Sequence, residues 1–247
     1  MLADQEIAIL RAAGFDNAVG AFIRSQTNKK IERARGRATA LDDEVDADGL
    51  SIAVSDGEEA EQLIRRLQPG LIDQGCRSFW SRRHEPNGLR TTDEIVILKT
   101  NDETEIIRFR HTSGANYDIT TEDILDRLKS WRDVSEFEVA GADHDFVMLV
   151  FSRLPDRICD FAAEVIDLCS DKVDDVTGPG SDRRKPDIVR AAKLLCPSVQ
   201  VKLNANLEQM KAVAGEYFED LLGQYRLAIR MLALKLKQTN QLFLWWD

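Results

Sequence analysis

Apolar residues recur along this chain at two intervals, one helical and one alternating, and the polar breaks between them outline a mixed fold. Ile7, Leu10 and Ala13, then Val19, Phe22 and Ile23, fall at helical spacing on either side of Gly14, which predicts one or two short helices over residues 4–24. Ser51–Val54 reads as a short strand. Asp56 caps the helix that follows, with Glu59 three residues on, and Leu63, Ile64 and Leu67 mark its buried side before Pro69 and Gly70 stop it. Cys76–Trp80 then completes a β-α-β unit over residues 50–82. The runs Glu94–Thr100 and Glu105–Arg110, separated by Asn101, Asp102, Glu103 and Thr104, predict a hairpin. A second capped helix starts at Thr120 or Thr121 and turns Ile124, Leu125, Leu128 and Trp131 inward.

Two further strands, Phe137–Ala140 and Phe146–Phe151, flank a polar turn. Pro155 opens a helix whose Ile158, Phe161, Ala162, Val165, Ile166 and Cys169 form one apolar stripe. Past the loop Gly178–Asp182 come a helix over about Pro186–Leu195 and a longer one over about Asn206–Gln238, with Gly215 and Gly223 as its breaking points. Unbroken, the longer helix would measure about 50 Å at 1.5 Å per residue. The chain closes on Leu242, Phe243, Leu244, Trp245 and Trp246, apolar on both faces of an extended segment, which predicts a strand inside the sheet, near its centre and covered on both sides. The expected fold is therefore α+β: a mixed sheet of about six or seven strands with helices packed on it, and a helical insertion over 182–238 before the last strand. Residues 1–49 read as N-terminal helices with a charged linker, and 50–247 as one domain.

Charge refines this picture. Lys29, Lys30, Arg33, Arg35 and Arg37 precede Asp42, Asp43, Glu44, Asp46 and Asp48, which predicts a solvated linker or polar helix whose halves neutralise one another, in preference to a basic arm for a phosphate-bearing partner. The 247 residues are 43% hydrophobic and 31% charged, an ordinary globular composition. No apolar run reaches membrane-span length, and the N-terminus carries acids where a signal peptide carries bases, so a cytoplasmic protein is expected. Cys76, Cys159, Cys169 and Cys196 show no C-x-x-C spacing and are read as reduced thiols. A net charge of −10 disfavours nucleic acid and anionic membrane as partners and favours a basic protein.

Gly114-Ala115-Asn116-Tyr117-Asp118-Ile119-Thr120-Thr121-Glu122-Asp123-Ile124, with Leu128 and Trp131, resembles a bacterial family catalogued as domain of unknown function 4253. Phe146–Phe151, Leu154-Pro155, Phe161–Val165, Cys169-Ser170-Asp171 and the terminal Leu244-Trp245-Trp246-Asp247 extend the resemblance in the same order. Together these stretches cover about residues 94–178 and 242–247. The chain departs from the family pattern by Cys169-Ser170-Asp171 in place of Cys-Pro-Asp, by Asp174–Gly178 in place of acid-Gln-Gly, and by the helical segment 182–238. The resemblance implies a fold and no activity. Small acidic bacterial proteins of such families sit beside secreted toxins as immunity partners; with the net charge of −10, the acidic segment 164–175, the helical insertion and the absence of a catalytic motif, a toxin-neutralising role is the leading expectation.

Three groups of residues have chemistry to offer. Glu164, Asp167, Asp171, Asp174 and Asp175 form an acidic series, and the first three share a face if their helix continues that far. They are read as a partner-binding surface with Asp247 as a possible neighbour; the alternative is a metal-dependent hydrolase or nucleotide-processing enzyme with Asp171, Asp174 and His144 as ligands. Asn116, Tyr117 and Asp118, ahead of a capped helix, suit either an anion or substrate loop or a self-bonded turn. Asp143-His144-Asp145 has metal-ligand chemistry but the spacing of a turn between strands; His84 and His111 acquire no partner. No G-x-S-x-G, Walker or Rossmann motif is present, so no catalytic residue and no cofactor is assigned.

Overall fold

The computed structural model describes residues 2–37, 45–84, 91–178, 181, 185–199, 201, 211 and 213–246. Asp42–Glu44, much of the Gly178–Asp182 loop, the expected start of the long helix at Asn206 and the terminal Asp247 lie outside them. The fold is α+β, built on a seven-stranded mixed sheet: β1 Glu32–Gly36, β2 Val45–Ala53, β3 Arg77–His84, β4 Thr91–Leu98, β5 Glu136–Asp143, β6 Phe146–Arg153 and β7 Gln241–Trp245. The strand order is β1-β2-β4-β3-β5-β6-β7. By compactness the chain forms two units, residues 1–113 with 139–148, and residues 114–138 with 149–247.

In the first unit, α1 (Asp4–Ala12) and α2 (Asn17–Gln26) are the two short helices the spacing predicts, and they share an apolar core with α3 (Gly57–Ile72). Asp56 caps α3 by accepting the Glu59 N–H at 2.9 Å. The expected β-α-β unit is present as β2-α3-β3, with β4 inserted antiparallel between its two strands. β3 also meets β5 in parallel at Trp80 and Gly141. A β-carbon at position 141 would stand 2.4 Å from the Trp80 carbonyl oxygen, so only glycine permits that approach.

Two expectations for this unit are corrected. Glu105–Arg110 is a helix, α4, and not the second arm of a hairpin. Ile106, Ile107 and Arg110 are all buried, and adjacent buried residues with a third one turn on fit a helix face, whereas a strand sends neighbours to opposite sides. The basic stretch is likewise neither linker nor polar helix where it passes through β1. Ile31 and Ala34 are fully buried, and β1 pairs antiparallel with β2, placing Arg35 opposite Asp46. One pair joins the basic and acidic stretches across these two strands: Arg33 lies 3.6 Å from Asp48 and donates to the Ala47 carbonyl at 3.2 Å, while Lys29 and Lys30 pair with Glu59 and Glu32.

The second unit holds α5 (Thr121–Arg132), α6 (Ile158–Leu168), α7 (Lys172–Thr177), α8 (Pro186–Leu195) and α9 (Phe218–Thr239), with α9 packed against α6, α7 and α8. The expected long helix breaks at Gly215, which takes φ +53 within a 3-10 turn, and resumes as α9, about 33 Å at 1.5 Å per residue. Gly223 lies inside α9 without breaking it.

β7 joins the sheet after this long helix, but at its edge, beside β6. The expected position near the centre, covered on both faces, is corrected by the burial pattern. Leu242, Leu244 and Trp246 are buried, Phe243 is half-buried and Trp245 is 37% exposed, so one face alone is sealed. Reduced thiols are expected throughout; instead Cys159 and Cys196 form a disulfide, and Cys76 and Cys169 are buried and free. The spacing of 37 residues carries no signal that these two side chains meet. Among the described residues no helix is long and apolar enough to cross a membrane.

Candidate binding site

The region that most resembles a site is built around the short turn Ala115–Tyr117. Gly114 and Ile119 close it by exchanging backbone hydrogen bonds at 2.9 and 3.1 Å, and Asp118 sits at φ +55, a left-handed position that aspartate tolerates. Trp246 packs against Gly114 and donates its indole N–H to the Leu168 carbonyl at 3.2 Å, so the residue after β7 holds the turn and the end of α6 together. α5 then begins with a reciprocal cap. Thr120 accepts the Asp123 N–H at 3.2 Å, and the Asp123 carboxylate accepts the Thr120 N–H at 2.9 Å and its hydroxyl at 2.6 Å. Those bonds hold the Asp123 carboxyl below the usual range.

The acidic series separates in three dimensions. α6 ends at Leu168, so Asp171 does not continue the face of Glu164 and Asp167. Glu164 accepts the Trp131 indole N–H at 3.2 Å. Asp167 pairs with Arg127 at 3.5 Å, and Arg127 also donates to the Glu164 carbonyl at 3.4 Å. Asp171 accepts the Tyr117 hydroxyl. Burial, then the hydrogen bond to Asp171, pushes the Tyr117 pKa up to about 12. Asp175 pairs with the buried Lys172 and lies 3.6 Å from Lys235. Burial opposes ionisation of Asp175, yet those ammonium groups hold its carboxyl below the ordinary range. Asp174 and Asn116 are exposed. Most of the series therefore ties its own unit together.

What the fold does gather is a shallow depression of about 490 Å³ between the turn, α5 and the end of α6. Asp118, Asp123, Asp126 and Asp167 line it with Arg127, Ser130, Ile119 and Leu168. Of the residues singled out from sequence, Asp118 and Asp167 meet here. Asp123, Asp126 and Arg127 were missed, although their three- and four-residue spacing in the first turns of a capped helix places them on one face. Four carboxylates face one guanidinium, and Asp118 and Asp126 are exposed. In such a setting the field attracts cations and repels anions. The arrangement suits an ammonium or guanidinium group, and it does not suit the anion considered for the 116–118 loop.

The first unit holds a different constellation that sequence reading overlooked. Glu94, fully buried, receives Arg110, Arg83 and the Ser51 hydroxyl. Arg110, also fully buried, donates to the Arg35 carbonyl at 2.9 Å and lies 3.9 Å from Asp143. Arg83 reaches Glu32 at 2.6 Å. The one legible signal is a charged Glu94 opening the apolar run Ile95–Leu98. Next to this network, His144 and Asp145 form the two-residue turn between β5 and β6, where the Ser113 N–H donates to the His144 carbonyl at 2.9 Å. The ligand atoms of Asp143, His144 and Asp145 lie within 4.8 Å of one another. His144 thus gathers with its own neighbours in the first unit, while Asp171 and Asp174 belong to the second.

A family model described as Domain of unknown function (DUF4253) matches residues 94–247. No curated protein and no solved structure matches the chain.

Proposed function

We propose, on the premise that this chain belongs to the family Domain of unknown function (DUF4253), that it is a non-enzymatic binding protein whose partner is a basic protein. The observation that carries the reading is the depression lined by Asp118, Asp123, Asp126 and Asp167 together with Arg127. A net charge of −10 adds long-range attraction for a basic surface and raises the rate of encounter with it. The exposed Asp118 and Asp126 offer it charge, whereas Asp171 and Asp175 are bonded to Tyr117 and Lys172 and hold the fold. Within this reading, the specific role is that of an immunity-type protein that masks a bacterial toxin domain in the cytoplasm.

The test is co-expression with the product of the adjacent gene, followed by affinity measurement on any complex that forms. Asp118→Lys with Asp126→Lys should raise Kd at least about tenfold at low salt, with a smaller effect at high salt as the charges are screened. An unchanged affinity would remove the acidic depression from the contact.

A second reading, a metal-dependent hydrolase or nucleotide-processing enzyme, draws on the proximity of Asp143, His144 and Asp145. Mixed nitrogen and oxygen donors of this kind suit Zn²⁺ or Mn²⁺ better than Mg²⁺. Calorimetric titration that yields no heat with any of the three ions at millimolar concentration would dismiss it.

A further inference from the structure

α8 packs along one side against α9 and is fastened at its end by a covalent bond. Of its ten residues Ala192 alone is fully buried, and Leu194 is 75% exposed. Ile188, Val189 and Leu195 are half-buried. A helix of this length is marginal in water on its own. Its end is fastened twice. Cys196, the C-cap, is disulfide-bonded to Cys159 in the first turn of α6, with the two α-carbons 5.9 Å apart. Arg230 of α9 donates to the Cys196 carbonyl at 2.9 Å and to the Pro197 carbonyl at 3.4 Å. Cys196 is fully buried, whereas Cys159 is half-buried, so the two sulfurs are unequal in their access to a reagent.

We infer that Cys159 is a thiol-exchange site and that its disulfide to Cys196 is a redox-controlled clasp on α8. The reductant is a dithiol. Its thiolate attacks the Cys159 sulfur, the bond to Cys196 breaks, and Cys196 leaves as a thiolate that takes a proton from water. The second thiol of the reductant then attacks the mixed disulfide, releasing Cys159 as a thiol and leaving the reductant as a disulfide. Two electrons pass to the protein. With the clasp open, α8 keeps Ala192, the half-buried Ile188, Val189 and Leu195 and the Arg230 bonds, too little to hold ten residues in one conformation, and the surface it covers on α6 and α9 becomes available. A low-molecular-weight disulfide reverses the exchange. Cys76 and Cys169 take no part, because both are buried, and burial pushes the Cys169 thiol up to about 11, away from reactive thiolate.

The experiment uses the full chain, purified in air, before and after treatment with dithiothreitol under native conditions. Thiol counting on the denatured protein should give two free thiols before and four after. Amide hydrogen exchange should rise at least tenfold over Asp187–Leu195 in the reduced protein and stay constant in β2, β3 and β4. Glutathione disulfide should restore both values. Cys159→Ser should show the fast exchange without reductant and no response to it; should that variant fail to fold, the reduced wild-type protein decides. Unchanged protection of α8 after full reduction overturns the proposal, as does a disulfide that resists dithiothreitol in the native protein.

Discussion

The indole of Trp246 lies so close to Gly114 that a β-carbon on the glycine would stand 2.7 Å from its Cδ1. Gly114 has φ −103, an ordinary value, so the glycine is required by contact and not by backbone conformation. The same indole donates to Leu168, and the ring is 4% exposed. This one side chain therefore ties together the turn and the end of α6, two of the three parts that line the acidic depression.

Gly114→Ala should destabilise the protein by about 1–3 kcal/mol through overpacking, and Trp246→Ala by about 3–5 kcal/mol through loss of a buried aromatic. Because the clash disappears with the indole, the double variant should be less destabilised than the sum. Urea unfolding of the three variants measures this, and strict additivity would show that the two residues are not in contact.

Glu94 compensates two guanidiniums, of which that of Arg110 is fully buried. Glu94→Gln keeps the shape and removes the charge, so a cost of about 3–5 kcal/mol is expected, the usual result of leaving a buried charge without its partner. Glu94→Leu combined with Arg110→Met should recover part of that loss. Thermal unfolding of the single and double variants is the measurement, and an undisturbed melting temperature in Glu94→Gln would contradict the network.

Tyr117 is an acid whose folded pKa, about 12, lies above its ordinary 10.0. Its contribution to stability is fully present below pH 10, where the hydroxyl is protonated in folded and unfolded chains alike, and is lost as pH rises through 12. Absorbance titration at about 295 nm should show this late ionisation beside that of Tyr225, which burial also raises, and its amplitude should fall in Tyr117→Phe. A Tyr117 that titrates with the ordinary tyrosines would mean that its bond to Asp171 does not form.

Asp175 behaves in the opposite sense. Its folded pKa is held below the ordinary 3.8, so its contribution is fully present above that value and disappears as pH falls through the lowered one. Asp175→Asn should flatten the acid limb of the stability curve below about pH 4, where the wild-type protein gains protons on unfolding. Denaturation midpoints in paired buffers between pH 5 and 2 would expose the difference.

Short-range features of the fold were open to reading from the sequence. The caps at Asp56 and Thr120, the inward stripe of α6 and the turn at 144–145 each depend on residues within four positions of one another. Glu105–Arg110 shows where that reading fails. Ile106 and Ile107 favour a strand by local preference, but their joint burial with Arg110 selects a helix, and burial is a property of what surrounds the segment. β1 fails for a related reason: its arginines look solvated until β2 brings Asp46 and Asp48 across from them.

By itself the sequence determined the α+β class, most element positions, the family and an apolar closing strand, because periodicity and capping act locally. Tertiary structure alone decided that β7 sits at the sheet edge and that Cys159 meets Cys196. It also decided that Glu94 is buried between two arginines, and that Asp118 and Asp167 share a depression with Asp123 and Asp126. Each of these relationships joins residues well beyond one helical turn of each other, or a strand to its neighbours. Many chain paths satisfy the same local pattern, and packing selects among them.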